Sequence, residues 1–123
     1  MTWNFTSERP IYLQLQELLK LSILTGVHGF GCKLPTVREL SADAAVNPNT
    51  MRRALLGLQS EGFVSADGDG EYFVTVDEAS IEVSKNDLAM ELADVFVSKM
   101  SSLGFSARES SEFVTKAGCA HIP

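Results

Sequence analysis

The sequence has little that would hold a small protein together covalently or through a metal. It carries two cysteines, Cys32 and Cys119, and two histidines, His28 and His121, in 123 residues. Two cysteines so far apart make no disulfide framework and fit a reducing compartment. The spacings His-x-x-x-Cys and Cys-x-His match neither a zinc finger nor a zinc ribbon, so no metal is expected. Cys32 reads as a small loop hydrophobe. Long apolar runs are also missing. The longest uncharged stretch, Leu21 to Cys32, has 12 residues and three glycines, whereas a membrane span takes about 20 apolar residues. Met1-Thr2-Trp3-Asn4 shows no basic start followed by an apolar run, the pattern of a secretory signal. A cytoplasmic chain with no membrane partner is the expectation. Nine glycines and four prolines are too few for a collagen-like or low-complexity chain.

Basic residues are scarce: 10 Lys and Arg stand against 16 Asp and Glu, for a net charge of −6. Taken alone, that balance argues against a nucleic-acid partner. Catalytic patterns are scarce as well. Gly68-Asp69-Gly70 falls between two β-prone runs, not before a helix as a phosphate loop would. With two histidines, no Ser/His/acid or Cys/His arrangement is legible. No enzyme activity and no cofactor are expected.

What is present is an ordinary globular composition, 45% apolar and 21% charged. A chain of this length can bury a core without staples. It makes one domain, or one small domain with an accessory element. The charge is uneven. From His28 to Gly57 the basic residues Lys33, Arg38, Arg52 and Arg53 outnumber Glu39 and Asp43. A cationic island sits inside an acidic chain.

Residues 10–25 read as a helix. Pro10 suits the first helical position, Ile11, Leu15, Leu18 and Ser22 step at helical period, and Gly26 is a stop. Leu13, Leu21, Ile23 and Leu24 widen the apolar stripe, so more than one neighbour is expected against it. Residues 27–35 read as a loop with at most a short strand. Thr36 and Glu39 form a capping box for a helix to about Ala44, with Val37, Leu40 and Ala44 on one face. Asn47 and Pro48 start a third helix that runs to about Glu61 and turns Met51, Leu55 and Leu58 inward. Gly62 ends it. Two short helices joined by Ala45-Val46-Asn47 make a helix-turn-helix candidate. Residues 63–66 and 71–76, around Asp67-Gly68-Asp69-Gly70, read as a hairpin. The fold class is therefore mainly α with a small β-hairpin wing (α+β): a winged helix-turn-helix over residues 1–78.

Residues 79–123 differ in character and form a short helical tail. Asp87 to Leu103 is amphipathic, with Leu88, Leu92, Val95, Phe96, Met100 and Leu103 on one side. Gly104 breaks it. Ser106 and Glu109 cap a further helix through about Lys116, flanked by Phe105 and Phe113. So small a helical pair cannot cover its own stripe. It must lie on the winged helix or on a second copy, and Leu92, Phe96 and Met100 are expected to be buried there. A ligand pocket is the lesser reading of that stripe.

The run Leu34-Pro35-Thr36-Val37-Arg38-Glu39-Leu40, then Val46-Asn47-Pro48-Asn49-Thr50-Met51-Arg52-Arg53-Ala54-Leu55, then Leu58-x-x-Glu61-Gly62-Phe63-Val64, resembles the GntR family of bacterial transcription regulators. Pro10-Ile11-Tyr12-Leu13-Gln14-Leu15 resembles that family's first helix, and the short tail resembles its YtrA-type branch. The resemblance implies a homodimeric repressor on a palindromic double-stranded DNA operator, with the tail as its dimerisation element. It implies that Arg38 grips a phosphate and that Asn47, Asn49, Thr50 and Arg52 enter the major groove or clamp its edges. It also implies that Gly68 approaches the minor groove. Arg53 is assigned to a phosphate or a salt bridge, and Lys33 to a phosphate. A small-molecule effector is left open.

The chain departs from the family at the wing, where Asp67, Asp69 and Glu71 replace the usual cations. Each close exposed carboxylate–phosphate pair repels by roughly 1 kcal/mol, and each missing cation removes about one unit of counterion release. The wing is expected to contribute little, or binding to be weak and salt-sensitive. The alternative is a winged-helix protein-interaction module with weak or lost DNA binding.

Overall fold

Four of the five helices start where a side chain accepts a free backbone N–H; the first starts after Pro10 with no such cap. The structure, a computed structural model, describes residues 2–121. Helix α1 spans Ile11–Leu24, with Pro10 just before it rather than inside it. Helix α2 spans Val37–Ala44. The Thr36 hydroxyl accepts the Glu39 N–H at 3.1 Å, and the Glu39 carboxylate accepts the Thr36 N–H at 3.2 Å. This is the capping box expected of that sequence. Helix α3 spans Pro48–Ser60, and Asn47 Oδ1 accepts the Asn49 N–H at 2.8 Å. Strands β1 (Val64–Ala66) and β2 (Tyr72–Val74) pair antiparallel, with Val64 opposite Val74 and Ala66 opposite Tyr72. Helices α4 (Glu78–Ser102) and α5 (Ala107–His121) complete the chain. The architecture is mainly α with a two-strand wing.

Two helices are longer than their periodicity predicts. Helix α4 begins at Glu78, not Asp87, because Asp77 caps it: its carboxylate accepts the Ser80 N–H at 2.7 Å. The opening turns have no continuous apolar stripe, so the period alone could not reveal them. Helix α5 continues past Lys116 to His121 and absorbs Gly118 as an interior residue.

The chain divides into two compact units, up to Ser84 and from Lys85 on. In the first, Leu15, Leu19, Ile23, Met51, Leu55, Leu58, Val64 and Val74 are fully buried. The apolar faces of α1 and α3 and one face of the wing thus share one core. Residues 31–34 add a short third rung to the sheet. Leu34 N–H donates to Tyr72 O at 2.8 Å and Val74 N–H to Cys32 O at 2.9 Å, with Lys33 bridged to Phe73. The wing is thereby tied down along both edges of β2. An N-terminal arm runs back along α1. The buried Gln14 side chain accepts the Thr6 N–H at 2.8 Å and donates to Thr6 O and Arg9 O at 2.9 and 2.8 Å.

In the second unit α4 ends in a Schellman motif. Phe105 N–H donates to Met100 O and Gly104 N–H to Ser101 O, with Gly104 at φ 93°. Ser106 and Glu109 exchange capping hydrogen bonds at 3.0 and 3.1 Å. Phe105 meets Phe113 edge-on at 5.0 Å.

Candidate nucleic-acid interface

Helices α2 and α3 meet at a tight turn closed by Ala45, a non-glycine residue at φ 56°. The turn fixes how the first turns of the two helices face outward together. Arg38 stands exposed near the start of α2 and makes no hydrogen bond or ion pair among the described residues. Arg52 stands exposed on α3, and its Nη1 donates to Asn49 Oδ1 at 3.0 Å. Both arginines line one cleft of about 380 Å³ with Thr36, Val37, Asp69, Gly70, Glu71 and Tyr72. Two guanidiniums from consecutive helices converge there, facing the inner side of the wing. Asn49 is exposed and Thr50 half-buried at the N-terminus of α3. Asn47 uses its Oδ1 as the helix cap, which leaves its amide N–H2 free to donate elsewhere.

The other sequence-selected cations sit differently. Lys33 is ion-paired with Glu71 of the wing, and that hydrogen bond raises the lysine pKa. Arg53 turns away from the cleft. Its guanidinium lies over the Tyr12 ring, 3.7 Å from the centroid. Adjacent helical residues point about 100° apart, so Arg52 and Arg53 serve opposite flanks of α3.

The acidic wing spends much of its charge on itself. Asp67 Oδ1 accepts the N–H groups of Asp69 and Glu71 at 2.9 and 3.0 Å and so ties the turn. Glu71 is neutralised by Lys33. Asp69 is exposed at the rim of the cleft. The turn's positive φ falls at Gly70 (80°) and not at Gly68, which has open space around it.

On the tail, no residue of α4 is buried within the single chain. Leu92, Val95 and Leu103 are 68%, 53% and 72% exposed. Leu88, Phe96 and Met100 are half-buried. The burial expected for Leu92 is therefore not found among the described residues, since a 25-residue helix has more apolar surface than one short neighbour can cover. No helix among the described residues is long and apolar enough to cross a membrane. No cluster of three or more His, Cys, Asp or Glu residues able to hold a metal occurs among them. The His121 side chain lies outside the described residues.

Three contacts were not legible beforehand. Tyr12 beneath Arg53 and Glu71 on Lys33 join residues distant in sequence. Trp3 Nε1 donates to Asp43 at 2.6 Å and pins the N-terminal arm to α2. The sequence signal was only that Trp3 and Tyr12 are polar-tipped aromatics, which seek a partner when half-buried.

The model of the gntR family of bacterial regulatory proteins matches residues 11–74. The HTH-type transcriptional regulator YhcF of Bacillus subtilis is 31% identical over 109 residues, covering 89% of this chain and 90% of that protein. The HTH-type transcriptional repressor YtrA of the same organism is 34% identical over 94 residues, 72% of each. A solved GntR family transcriptional regulator from Listeria monocytogenes superposes with a TM-score of 0.84 at 36% identity, over 91% of this chain and 98% of that one.

Proposed function

This chain belongs to the gntR family of bacterial regulatory proteins and is a DNA-binding transcription regulator of YtrA type, and from that premise we propose that it is a cytoplasmic, homodimeric repressor without catalytic activity that reads a palindromic operator through α3. The observation that carries the reading is the convergence of Arg38 and Arg52 on one exposed cleft, with no ion pair to either among the described residues. A helix fits the major groove, and its N-terminal residues reach base edges. Asn49 and Thr50 are those residues here. Arg38 holds a phosphate on the α2 side. Arg52, oriented by Asn49, clamps the groove edge or donates to guanine, the base a guanidinium fits best. Asn47 caps α3 with its oxygen and offers its amide to a phosphate. The tip at Gly68 lies beside the minor groove.

The wing is a weaker partner than its cationic counterparts in the family. Lys33 and Glu71 neutralise each other, so the pair neither attracts nor repels a phosphate strongly. Asp69 remains a repulsive charge. Phosphate attraction therefore rests on few arginines, and doubling them by dimerisation makes the second half-site effectively intramolecular. The stripe of Leu88, Leu92, Val95, Phe96 and Met100 on α4, continued by Leu103 just past its end, is half-buried to exposed in the single chain and is the surface for that second copy. Two α3 helices would then sit about 34 Å apart, one DNA turn, or a small multiple of it. Occupancy of a promoter blocks transcription.

A salt titration tests the reading. With a duplex selected from a random pool by the parent protein, log affinity is expected to fall steeply with log salt. Arg38→Ala and Arg52→Ala are each expected to weaken binding, the former by shallowing the slope by about one. Parent-like binding by both variants would favour a protein-interaction role instead.

A further inference from the structure

Helices α1 and α3 touch along a ladder of matched steps. Arg53 lies over Tyr12 at 3.7 Å. Four residues on in both helices, Gly57 lies directly against the Gln16 side chain. Four residues further, Glu61 pairs with Lys20 at 3.6 Å. Matched four-residue ridges interlock when two helices pack face to face. The first rung is thus held in place by the rungs behind it. It is also the rung nearest the N-terminus of α3, the end assigned to the groove.

We propose that Tyr12 is a positioning residue for DNA binding: its ring holds the Arg53 guanidinium so that the guanidinium edge meets a phosphate on the α1 flank of the groove. The inference rests on the reading of α3 as the DNA-reading helix. The buried line of α3 is Met51, Ala54, Leu55 and Leu58. Arg52 leaves that helix toward α2 and the wing, and Arg53 leaves it toward α1. The exposed strip between the two guanidiniums carries Asn49 and Leu56. A groove entered by that strip has a phosphate row on each side, one for Arg38 and Arg52 and one for Arg53.

The chemistry of the stack suits such a clamp. A guanidinium is attracted through its flat face to the negative face of an aromatic ring, while its N–H donors radiate from its edge. Stacking on Tyr12 therefore uses the face and leaves the edge for phosphate oxygens. A long flexible side chain otherwise loses rotamer freedom when it binds. Here that freedom is largely given up before DNA arrives, so less is lost on association. Arg53 remains exposed while stacked, as a phosphate ligand must.

The experiment measures affinity against salt for the full chain on the pool-selected duplex, with parent, Tyr12→Phe, Tyr12→Leu, Arg53→Ala and the double variant. Arg53→Ala removes only an exposed side chain and serves where Tyr12→Leu unfolds. Arg53→Ala is expected to shallow the salt slope by about one. Tyr12→Phe keeps the ring and is expected to bind like the parent. Tyr12→Leu is expected to weaken binding about two- to fivefold, and to cause no further loss when Arg53 is already alanine. An unchanged affinity and slope in Arg53→Ala would overturn the inference, as would a Tyr12→Leu loss of equal size with and without Arg53. If Arg38→Ala and Arg52→Ala still lose binding in that case, the DNA-reading assignment stands without the clamp. A parent that selects no duplex overturns both.

Discussion

Gly57 of α3 packs directly on the Gln16 side chain of α1, so a Cβ at Gly57 would fall well inside contact with the Gln16 amide. The obstruction is the end of a flexible side chain, held among the described residues by a 3.4 Å hydrogen bond to Glu61. It can swing away. Alanine is favoured over glycine inside a helix by about 1 kcal/mol. Gly57→Ala is expected to be at least as stable as the parent in urea unfolding. Gly57→Val cannot be accommodated by one rotation and is expected to lose about 1–3 kcal/mol.

Ala45 offers a second route to stabilisation. It sits at φ 56°, ψ 46° and closes α2 through its own N–H to Ala42 O and the Val46 N–H to Ser41 O. A side chain in that conformation costs roughly 1–2 kcal/mol, partly offset because glycine is freer when unfolded. Ala45→Gly is expected to gain about 0.5–1 kcal/mol, read as a melting temperature a few degrees higher. Ala45→Val is expected to lower it.

The two wing glycines separate folding from binding. Gly70 adopts φ 80°, whereas Gly68 has no such demand and open space around it. Gly70→Ala is expected to cost about 1 kcal/mol of stability. Gly68→Ala is expected to melt like the parent and to weaken DNA binding if the tip approaches the minor groove. Equal DNA affinity would remove Gly68 from the interface.

Acid should weaken the fold in two stages. Ser22 donates to Leu19 O at 2.6 Å, so its oxygen accepts from His28 Nδ1 at 2.9 Å. Burial lowers the His28 pKa below its ordinary value. The unfolded chain therefore takes up that proton first, and stability is full above about pH 6.5 and declines as pH falls toward the folded value. Glu39, Asp77 and Glu109 are held below their ordinary pKa by backbone N–H bonds from Thr36, Ser80 and Ser106. Their contribution is present above the ordinary carboxylate range and is lost as pH falls through their folded values. Unfolding free energy measured from neutral pH down to about pH 3 is expected to show both declines. His28→Gln is expected to flatten the upper one, and an unchanged upper decline would clear His28 of that role.

The tail makes a separable test. Leu92 is 68% exposed in the single chain, so Leu92→Asp should leave the chain's own fold intact. Sedimentation is expected to show a dimeric parent and a monomeric variant. A dimeric Leu92→Asp protein would place the seam elsewhere.

Helix starts were legible because capping is local. Thr36 with Glu39, Asn47 before Pro48, and Ser106 with Glu109 each act within three residues of themselves. The start of α4 was not legible from period, although Asp77 and Ser80 carried the signal of a cap. Arg38 and Arg52 could be selected from the motif around them. Their shared cleft could not, because it depends on how α2, α3 and the wing pack.

Sequence alone determined the starts of α2, α3 and α5, the hairpin and the inward residues Leu15, Met51, Leu55 and Leu58, since period, capping chemistry and turn-forming residues act over a few positions. Only the tertiary structure decided what each charge does. Lys33 meets Glu71, Arg53 meets Tyr12 and Trp3 meets Asp43 across long stretches of chain. Such partners are set by the packing of elements onto a common core, and a side chain's charge is spent or left available according to what that packing brings within reach.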